Sequence, residues 1–509
     1  MFVRKKLNKS GSVSIQIIDK KNGCYKVVQT LGSSKEIHEI RRLFLQGRQI
    51  VHAVAPGQQW LFPVKSDAEL AVENFVSGLS NAQIRVIGPE LVFGTLFDRI
   101  GFNAIPEELF RHITIARLVY PASKVKTVDY LYRYRGLRMS DESVYRFMDK
   151  ISGRYKEAVE NAAYAHTKSR LGGIAVVFYD MTSLYFESED EDDLRRIGFS
   201  KDGKFENPQI LLGLLVGRQG LPIGYDIFEG NKFEGHTLIP VLKKMGARYG
   251  FEKPVVVADA ALLSRDNLEN LGKEGYCFII GARIKNESEQ VKADMLKQAA
   301  GLKNGDSFEL KKPDGTRLVV IYSDKRARKD AANRDKGVRK LLKQIRSGRL
   351  TKQNINRRGY NKFLAITGNA AVSLDEGKIT EDAQWDGLKG YVTNTRFSAK
   401  EIADNYVQLW QIERAFRISK TDLRIRPVHL YLRRRIEAHI CIAFAAYAIY
   451  KELEGLLKKG GIEMSAKRAG ELTQTMYELE YSLPDSGERK RQLLRMDEEQ
   501  QSIYNITRK

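Results

Sequence analysis

The chain is poor in cysteine. Its 509 residues hold three, Cys24, Cys277 and Cys441, too far apart to form a metal-ligand pair. That usage fits a reducing cytosolic chain without disulfides and excludes a Cys/His zinc motif. The histidines are scattered, with no ligand spacing. Long apolar runs are missing as well. The longest, ICIAFAAYAIY at 440–450, is too short to cross a bilayer and predicts a buried helix. The first residues, MFVRKKLNKSG, lack an apolar core, so no secretory signal is expected. There is no G-x-x-x-x-G-K-[ST] loop, which argues against a P-loop motor. There is no G-x-S-x-G nucleophile turn either. Acidic charge is scarce relative to basic: 63 Asp and Glu against 85 Lys and Arg leave a formal charge of +22. The excess favours a polyanionic partner, of which nucleic acid is the commonest. Basic attachment to a membrane surface is the weaker alternative.

A chain of this length holds roughly three domains. Residues 1–66 read as a small β-hairpin plus helix unit. Val13, Ile15 and Ile17 alternate with polar residues, Asn22-Gly23 supplies a turn, and Ser33-x-x-Glu36 forms a capping box before a periodic helix. Residues 54–66 read as a connecting loop. From 67 to 172 the pattern is helical. The segments 123–135 and 140–151, parted by Gly136, have a helix-turn-helix layout that would present Arg146 and Lys150.

The texture changes at 173. IAVVFYD at 174–180 is a buried run ending in Asp180, followed by two more apolar strands at 210–217 and 221–228. A helix at 236–249, the strand KPVVVAD ending in Asp259, a helix at 264–271 and a strand at 276–282 complete the set. Three strands, helix, strand, helix, strand is the order of a ribonuclease H-like core, an α/β fold with a mixed sheet. Residues 284–385 interrupt it and read as a β-rich basic insertion. Within it, 325–362 carries 15 Lys and Arg against Asp330 and Asp335, more than half of the net charge. Residues 386–436 resume the core, with Ser398 as a candidate N-cap for the helix carrying Glu413. Residues 437–509 read as a helical region and a candidate dimer contact.

The stretch YVQLWQIERAFRISK at 406–420 predicts one helix. Tyr406, Glu413, Arg417 and Lys420 then share a stripe beside an apolar one formed by Leu409, Ile412 and Phe416. Two Asp at strand ends and a Glu on a later helix suit a hard cation. Mg²⁺ binds through a few carboxylates, with water and phosphate oxygens completing its shell. A pair of such ions activates a nucleophile and stabilises the leaving oxygen of a phosphodiester. The plainer alternatives stand beside this: each Asp as a helix cap, Glu413 as a solvated residue. Thr182 and Ser183 are candidates to bond the carboxylate or a phosphate. Asp190-Glu191-Asp192-Asp193 reads as a solvated loop, and Glu234 and His236 as structural.

With these residues in place, the chain resembles the DDE transposases of bacterial insertion sequences, in the group with a Y-x2-R-x3-E-x6-K signature. Tyr406, Glu413 and Lys420 match its spacing, while the Arg position is Leu409 and Arg417 is a candidate substitute. FYDMTSLYF matches around Asp180 and VVVADAALLS around Asp259. LVYPASK at 118–124 and FEGNKFEGHTL at 228–238 are similar to this group too. The resemblance implies Asp180, Asp259 and Glu413 as catalytic metal ligands, with Mg²⁺ as cofactor and Mn²⁺ as a substitute. It implies nicking at terminal inverted repeats, joining of the freed 3′-hydroxyl to target DNA, and a homodimer on paired ends in the bacterial cytoplasm, at the nucleoid. Residues expected to touch DNA are Tyr406, Arg417, Lys420, Arg424, Arg339, Lys340, Arg346, Arg357, Arg358 and Arg146. The alternatives are a non-catalytic repressor and a ribonuclease H-like nuclease that cuts without joining.

Overall fold

Alternating apolar residues near the N-terminus build a three-stranded antiparallel sheet from β1 (Phe2–Leu7), β2 (Val13–Lys21) and β3 (Cys24–Ser34). A register shift between Ile17 and Ile18 lets both adjacent side chains be buried with Ile15. Helix α1 (Ile37–Val54) covers the sheet through Leu43, Gly47 and Val51. A Cβ at Gly47 would meet Leu31 at 2.8 Å, so glycine allows the helix to lie close. Ser34, not Ser33, caps this turn: its hydroxyl accepts from the Glu36 amide at 3.0 Å. Ser33 is still in β3, where it hydrogen-bonds Ser14. Helix α2 (Asp67–Ser77) follows.

This computed structural model describes the chain except residues 22, 55–66, 201–202, 251–252, 261–263, 348–349, 351–355, 357–358, 368–370, 484–485 and 509. Asn22 of the expected turn, almost all of the expected loop at 54–66, and Arg357 and Arg358 therefore lie outside the described residues. The chain forms two compact units, Met1–Leu79 and Ser80–Lys509.

The second unit opens with β4 (Ile84–Val86) and a run of helices: α3 (Thr95–Ile100), α4 (Glu108–Val119), α5 (Lys124–Arg135), α6 (Asp141–Lys150) and α7 (Lys156–Leu171). Ser123 and Ser140 cap α5 and α6 by accepting from backbone amides. The sheet strands follow: β5 (Val176–Tyr185), β6 (Gln209–Val216) and β7 (Pro222–Glu229), then α8 (Leu238–Tyr249), β8 (Val255–Ala258), α9 (Arg265–Lys273) and β9 (Phe278–Ala282). Next come α10 (Glu289–Ala299), β10 (Ser307–Lys311), β11 (Arg317–Tyr322), α11 (Asp324–Arg346), β12 (Leu364–Thr367), β13 (Ala371–Leu374), α12 (Glu376–Ala383) and β14 (Leu388–Thr393). The chain ends with α13 (Ala399–Val407), α14 (Trp410–Arg417), α15 (Arg433–Lys459), α16 (Ala466–Thr473), β15 (Tyr477–Ser482), β16 (Arg489–Leu493) and α17 (Glu498–Arg508).

Eight strands form one mixed sheet in the order β10-β11-β14-β9-β8-β5-β6-β7. β5, β8 and β9 are parallel, and the other pairs are antiparallel. One face packs on α8 and α9 through Leu238, Val241, Leu242, Met245 and Leu271. The other packs on α14 and α15. Helix α15, the expected apolar helix, is buried on nearly every side against α4, α6 and α7, so its apolar surface is consumed inside the unit.

Three expectations change. Asp180 does not end its strand, because β5 runs on to Tyr185, paired with β6 from Phe178 onward. Residues 284–385 are more helical than extended among the described residues. The basic run carries no proline, and its first part is the 23-residue helix α11. Only β10 and β11 of this stretch join the large sheet. The stretch 406–420 is not one helix. Tyr406 lies in the last turn of α13 and Glu413 on α14, because the amides of Gln408, Leu409, Gln411 and Ile412 bond three residues back and tighten the chain between them.

Candidate functional site

Side chains at matching register on neighbouring strands point to the same face of a sheet. Phe178 pairs with Val257 and Tyr179 with Ala258, so Asp180 and Asp259 fall together at the next position. Asp180 also opposes Leu214, which opposes Tyr225. On the other side Ala258 pairs with Ile280, which brings Asp259 level with Gly281, and Gly281 opposes Tyr391. One row therefore crosses the sheet: Tyr225, Leu214, Asp180, Asp259, Gly281, Tyr391. Its apolar members belong to the core beneath α14 and α15. The two carboxylates sit side by side on strands that lie about 4.8 Å apart. Asp180 is half-buried and Asp259 is exposed. Each accepts from the amide that follows it, Met181 at 2.7 Å and Ala260 at 2.6 Å.

Gly281 leaves a gap in that row, and Tyr406 fills it. The phenol passes over the glycine, where a Cβ would overlap its hydroxyl. It donates to Asp259 Oδ1 at 3.2 Å. The ring meets Tyr391 edge-on at 4.9 Å, and Lys389 Nζ lies 5.0 Å from its centroid. Burial pushes the Tyr406 phenol well above its usual range, and the charges of Asp259 and Glu413 push the same way. It therefore stays protonated and donates. Burial lowers the Lys389 ammonium and Arg326 adds to that, while Asp259 and Asp330 oppose it. Sequence reasoning did not single out Gly281, Tyr391 or Lys389. A lone lysine and a glycine in the strand LKGYVT, and a glycine in FIIGA, were the only local signals.

Helix α14 lies against β5 and β6 on the carboxylate face. It buries Ile412, Ala415 and Phe416 and exposes Glu413 and Arg417. Glu413 is close enough to Tyr406 for its charge to bear on the phenol. Among the described residues, no three His, Cys, Asp or Glu side chains stand close enough to hold a metal ion by themselves. The structure thus brings Asp180 and Asp259 together and places Glu413 nearby, outside their cluster. Two hard carboxylates, one exposed and one half-buried, still fit a divalent cation that takes its remaining oxygens from water and phosphate.

Leu409, at the signature's Arg position, is 7% exposed and packs in the core. Its burial goes with the break between α13 and α14. Leu409→Arg is expected to destabilise the fold by about 2–4 kcal/mol, since the guanidinium would lose water without a partner. A denaturant midpoint measurement checks this, and an unchanged midpoint would show that the side chain swings out to solvent.

The other residues expected to contact DNA are dispersed. Arg339, Lys340 and Arg346 are exposed on α11, while Arg334 of the same helix is tied to Asp386 by two contacts of 2.6 Å. Arg146 is exposed on α6. Lys420 lies in a wide helical turn at 418–422, and Arg424 follows it with a positive φ of 45°. The acidic loop is structural at Asp192, which accepts from the amides of Leu194 and Arg195 and from the Arg195 guanidinium. Ser183 alternates away from Asp180, and its hydroxyl is buried without a partner. His236 is exposed beside Phe233.

A sheet that pairs two carboxylates beneath a glutamate-bearing helix defines a class of acidic-centre proteins. Residues 172–449, more than half of the chain, match the family described as Transposase DDE domain, and the chain belongs to that family. The transposase for insertion sequence element IS1151 of Clostridium perfringens is 24% identical over 265 residues. That match covers 48% of each, so the chain spans about half the length of the curated relative. Two solved structures are distant likenesses. The piggyBac transposase synaptic complex with hairpin DNA is 10% identical, covers 76% of both chains and has a TM-score of 0.38. The Mos1 transposase paired-end complex is 9% identical, covers 46% of this chain and 71% of its own, with a TM-score of 0.16. Neither likeness is great enough to argue from. No helix among the described residues is long and apolar enough to cross a membrane.

Proposed function

We propose that this chain is a transposase that nicks the ends of an insertion sequence and joins the freed 3′-hydroxyl to target DNA. The observation that carries the reading is the register of Asp180 and Asp259 on parallel strands, on the face covered by the Glu413 helix. The order β7-β6-β5-β8-β9 suits a ribonuclease H-like core with its acidic centre on the first and fourth strands. Asp180 and Asp259 would hold Mg²⁺, or Mn²⁺ in its place, with Glu413 closing on it once DNA is bound. The metal would supply activation of the nucleophile and neutralisation of phosphate charge. Tyr406 fixes the Asp259 carboxylate, and Lys389 lends positive charge beside it. The net charge and the exposed cations of α11 suit the flanking DNA phosphates. Paired ends, a homodimer and a place at the cytoplasmic nucleoid belong to the same reading.

The test is incubation of the full chain with Mg²⁺ and DNA that carries the element's ends. Nicked ends joined to a target are the expected products. Binding without cleavage would turn the reading to a repressor, and cleavage without joining to a nuclease.

Neutralising Arg339, Lys340 and Arg346 together to Gln is expected to weaken duplex binding. The slope of log affinity against log salt should become shallower by about 2.7, at roughly 0.9 per phosphate contact. An unchanged slope would remove α11 from the DNA interface.

A further inference from the structure

A second site, a cationic one, lies away from the carboxylate row. Where α4 ends and α5 begins, a cavity of about 320 Å³ opens against the loop that follows Lys420. Arg117 and Lys124 line it, and both are only 5% exposed. Lys124 Nζ is buried with no hydrogen-bond partner. Arg424 and His429 line the same cavity and are themselves exposed, and His439 lines it from α15.

No acid among the described residues answers these cations. Burial brings the Arg117 guanidinium down to about 10. Burial, then repulsion from Arg117, holds the Lys124 ammonium well below its usual range. His439 is held low by burial and by Lys124, Arg117 and His429, and its Nε2 lies 2.9 Å from the Ile425 carbonyl. Two buried cations without a counterion are costly, and such groups are normally paired. The N-terminus of α5 adds the positive end of a 12-residue helix at the same place, capped by Ser123. Lys126, Arg426, Tyr145, a few apolar side chains and two prolines complete the wall.

We propose that this cavity binds a phosphate of a nucleic-acid strand, with Arg117 and Lys124 as its buried ligands and Arg424 as its exposed one. The strand as the source of the phosphate rests on the transposase reading; the anion site itself does not. An arriving phosphate supplies the missing counter-charge, and the fork of Arg117 suits its paired oxygens. Arg424 comes eleven residues after Glu413, so a strand held here would be tied to the segment that carries the third carboxylate.

The experiment uses the full chain. Thermal unfolding is followed with inorganic phosphate against chloride at equal ionic strength. Affinity is then measured for a short duplex with and without a terminal 5′-phosphate. Phosphate is expected to stabilise the wild type and to lose that effect in Lys124→Met. Without phosphate, that variant should be at least as stable as the wild type, because an unpaired buried cation has gone. Its duplex affinity should fall roughly tenfold to a hundredfold. A loss confined to the 5′-phosphorylated duplex would assign the site to a strand end, and an equal loss on both to the strand interior. Loss of the phosphate effect with duplex affinity intact would overturn the nucleic-acid assignment and leave a free-phosphate site. If Lys124→Met unfolds, the exposed Arg424→Ala replaces it, with a weakened phosphate response expected. No phosphate response in the wild type would overturn the site altogether. Asp259→Asn should keep the response, so failure to cut element ends and failure to bind phosphate are separate results.

Discussion

Asp259→Asn is expected to lower Mg²⁺-dependent cleavage by at least on the order of 10²–10³-fold while duplex binding persists. Asparagine has the shape of aspartate and keeps an oxygen for the Ala260 amide and the Tyr406 hydroxyl, the two groups that hold the carboxylate. What disappears is the negative charge, one of two that lie level on β5 and at the end of β8. A hard cation loses much of its attraction to the site when half the anionic donors become neutral. Asp180→Asn should act alike, and the double variant should be little worse than either if the two act as one ligand pair, as proposed. Cleavage of labelled element ends and a gel-shift on the same DNA measure the two quantities apart. Wild-type cleavage by either variant would remove the row from the chemistry.

Gly281→Ala has the second largest expected effect, at a residue with no side chain of its own to lose. The new methyl would occupy the place of the Tyr406 hydroxyl. The phenol must then swing away, giving up its bond to Asp259, or the strands must part. Overpacking of this kind costs about 1–3 kcal/mol in stability. Loss of a group that orients a metal ligand typically costs 10–100-fold in activity or metal affinity, and roughly that loss is expected here. Tyr406→Phe alone should lose most of the same activity without the stability cost. The double variant, Gly281→Ala with Tyr406→Phe, separates the causes. With the hydroxyl gone the methyl gains room, so the pair should be no less active than Tyr406→Phe alone. Additive losses would mean that Gly281 acts through something other than Tyr406.

Much of this was readable along the chain. VVVA before Asp259 is apolar throughout because β8 is buried on both faces of the sheet, and such strands show themselves as continuous runs. Ser398 announced a helix start, since its hydroxyl accepts from the Glu401 amide while the Glu401 carboxylate accepts from the Ser398 amide, but the helix it caps is α13 and not α14, which carries Glu413. The apolar run at 440–450 announced α15 for the same kind of local reason. Other features were hidden. Val and Phe around Asp180 did not reveal that β5 continues to Tyr185, because pairing with β6 sustains the strand, and that partner is some thirty residues away. Helical periodicity joined Tyr406 to Glu413, yet a tightened turn divides them, with Leu409 drawn into the core. Periodicity counts residues per turn and is blind to a turn that closes early.

Residue identity along the chain was therefore enough to single out Asp180, Asp259 and Glu413 as candidates, because apolar runs, caps and motif spacing arise from neighbours in sequence. Tertiary structure alone decided which of them meet. Strand register set Asp180 beside Asp259, the space above Gly281 admitted Tyr406, and the fold left Arg117 and Lys124 together with no acid among the described residues to answer them. These are contacts between distant segments, settled by packing and by the loss of water around charge, and no local pattern encodes them.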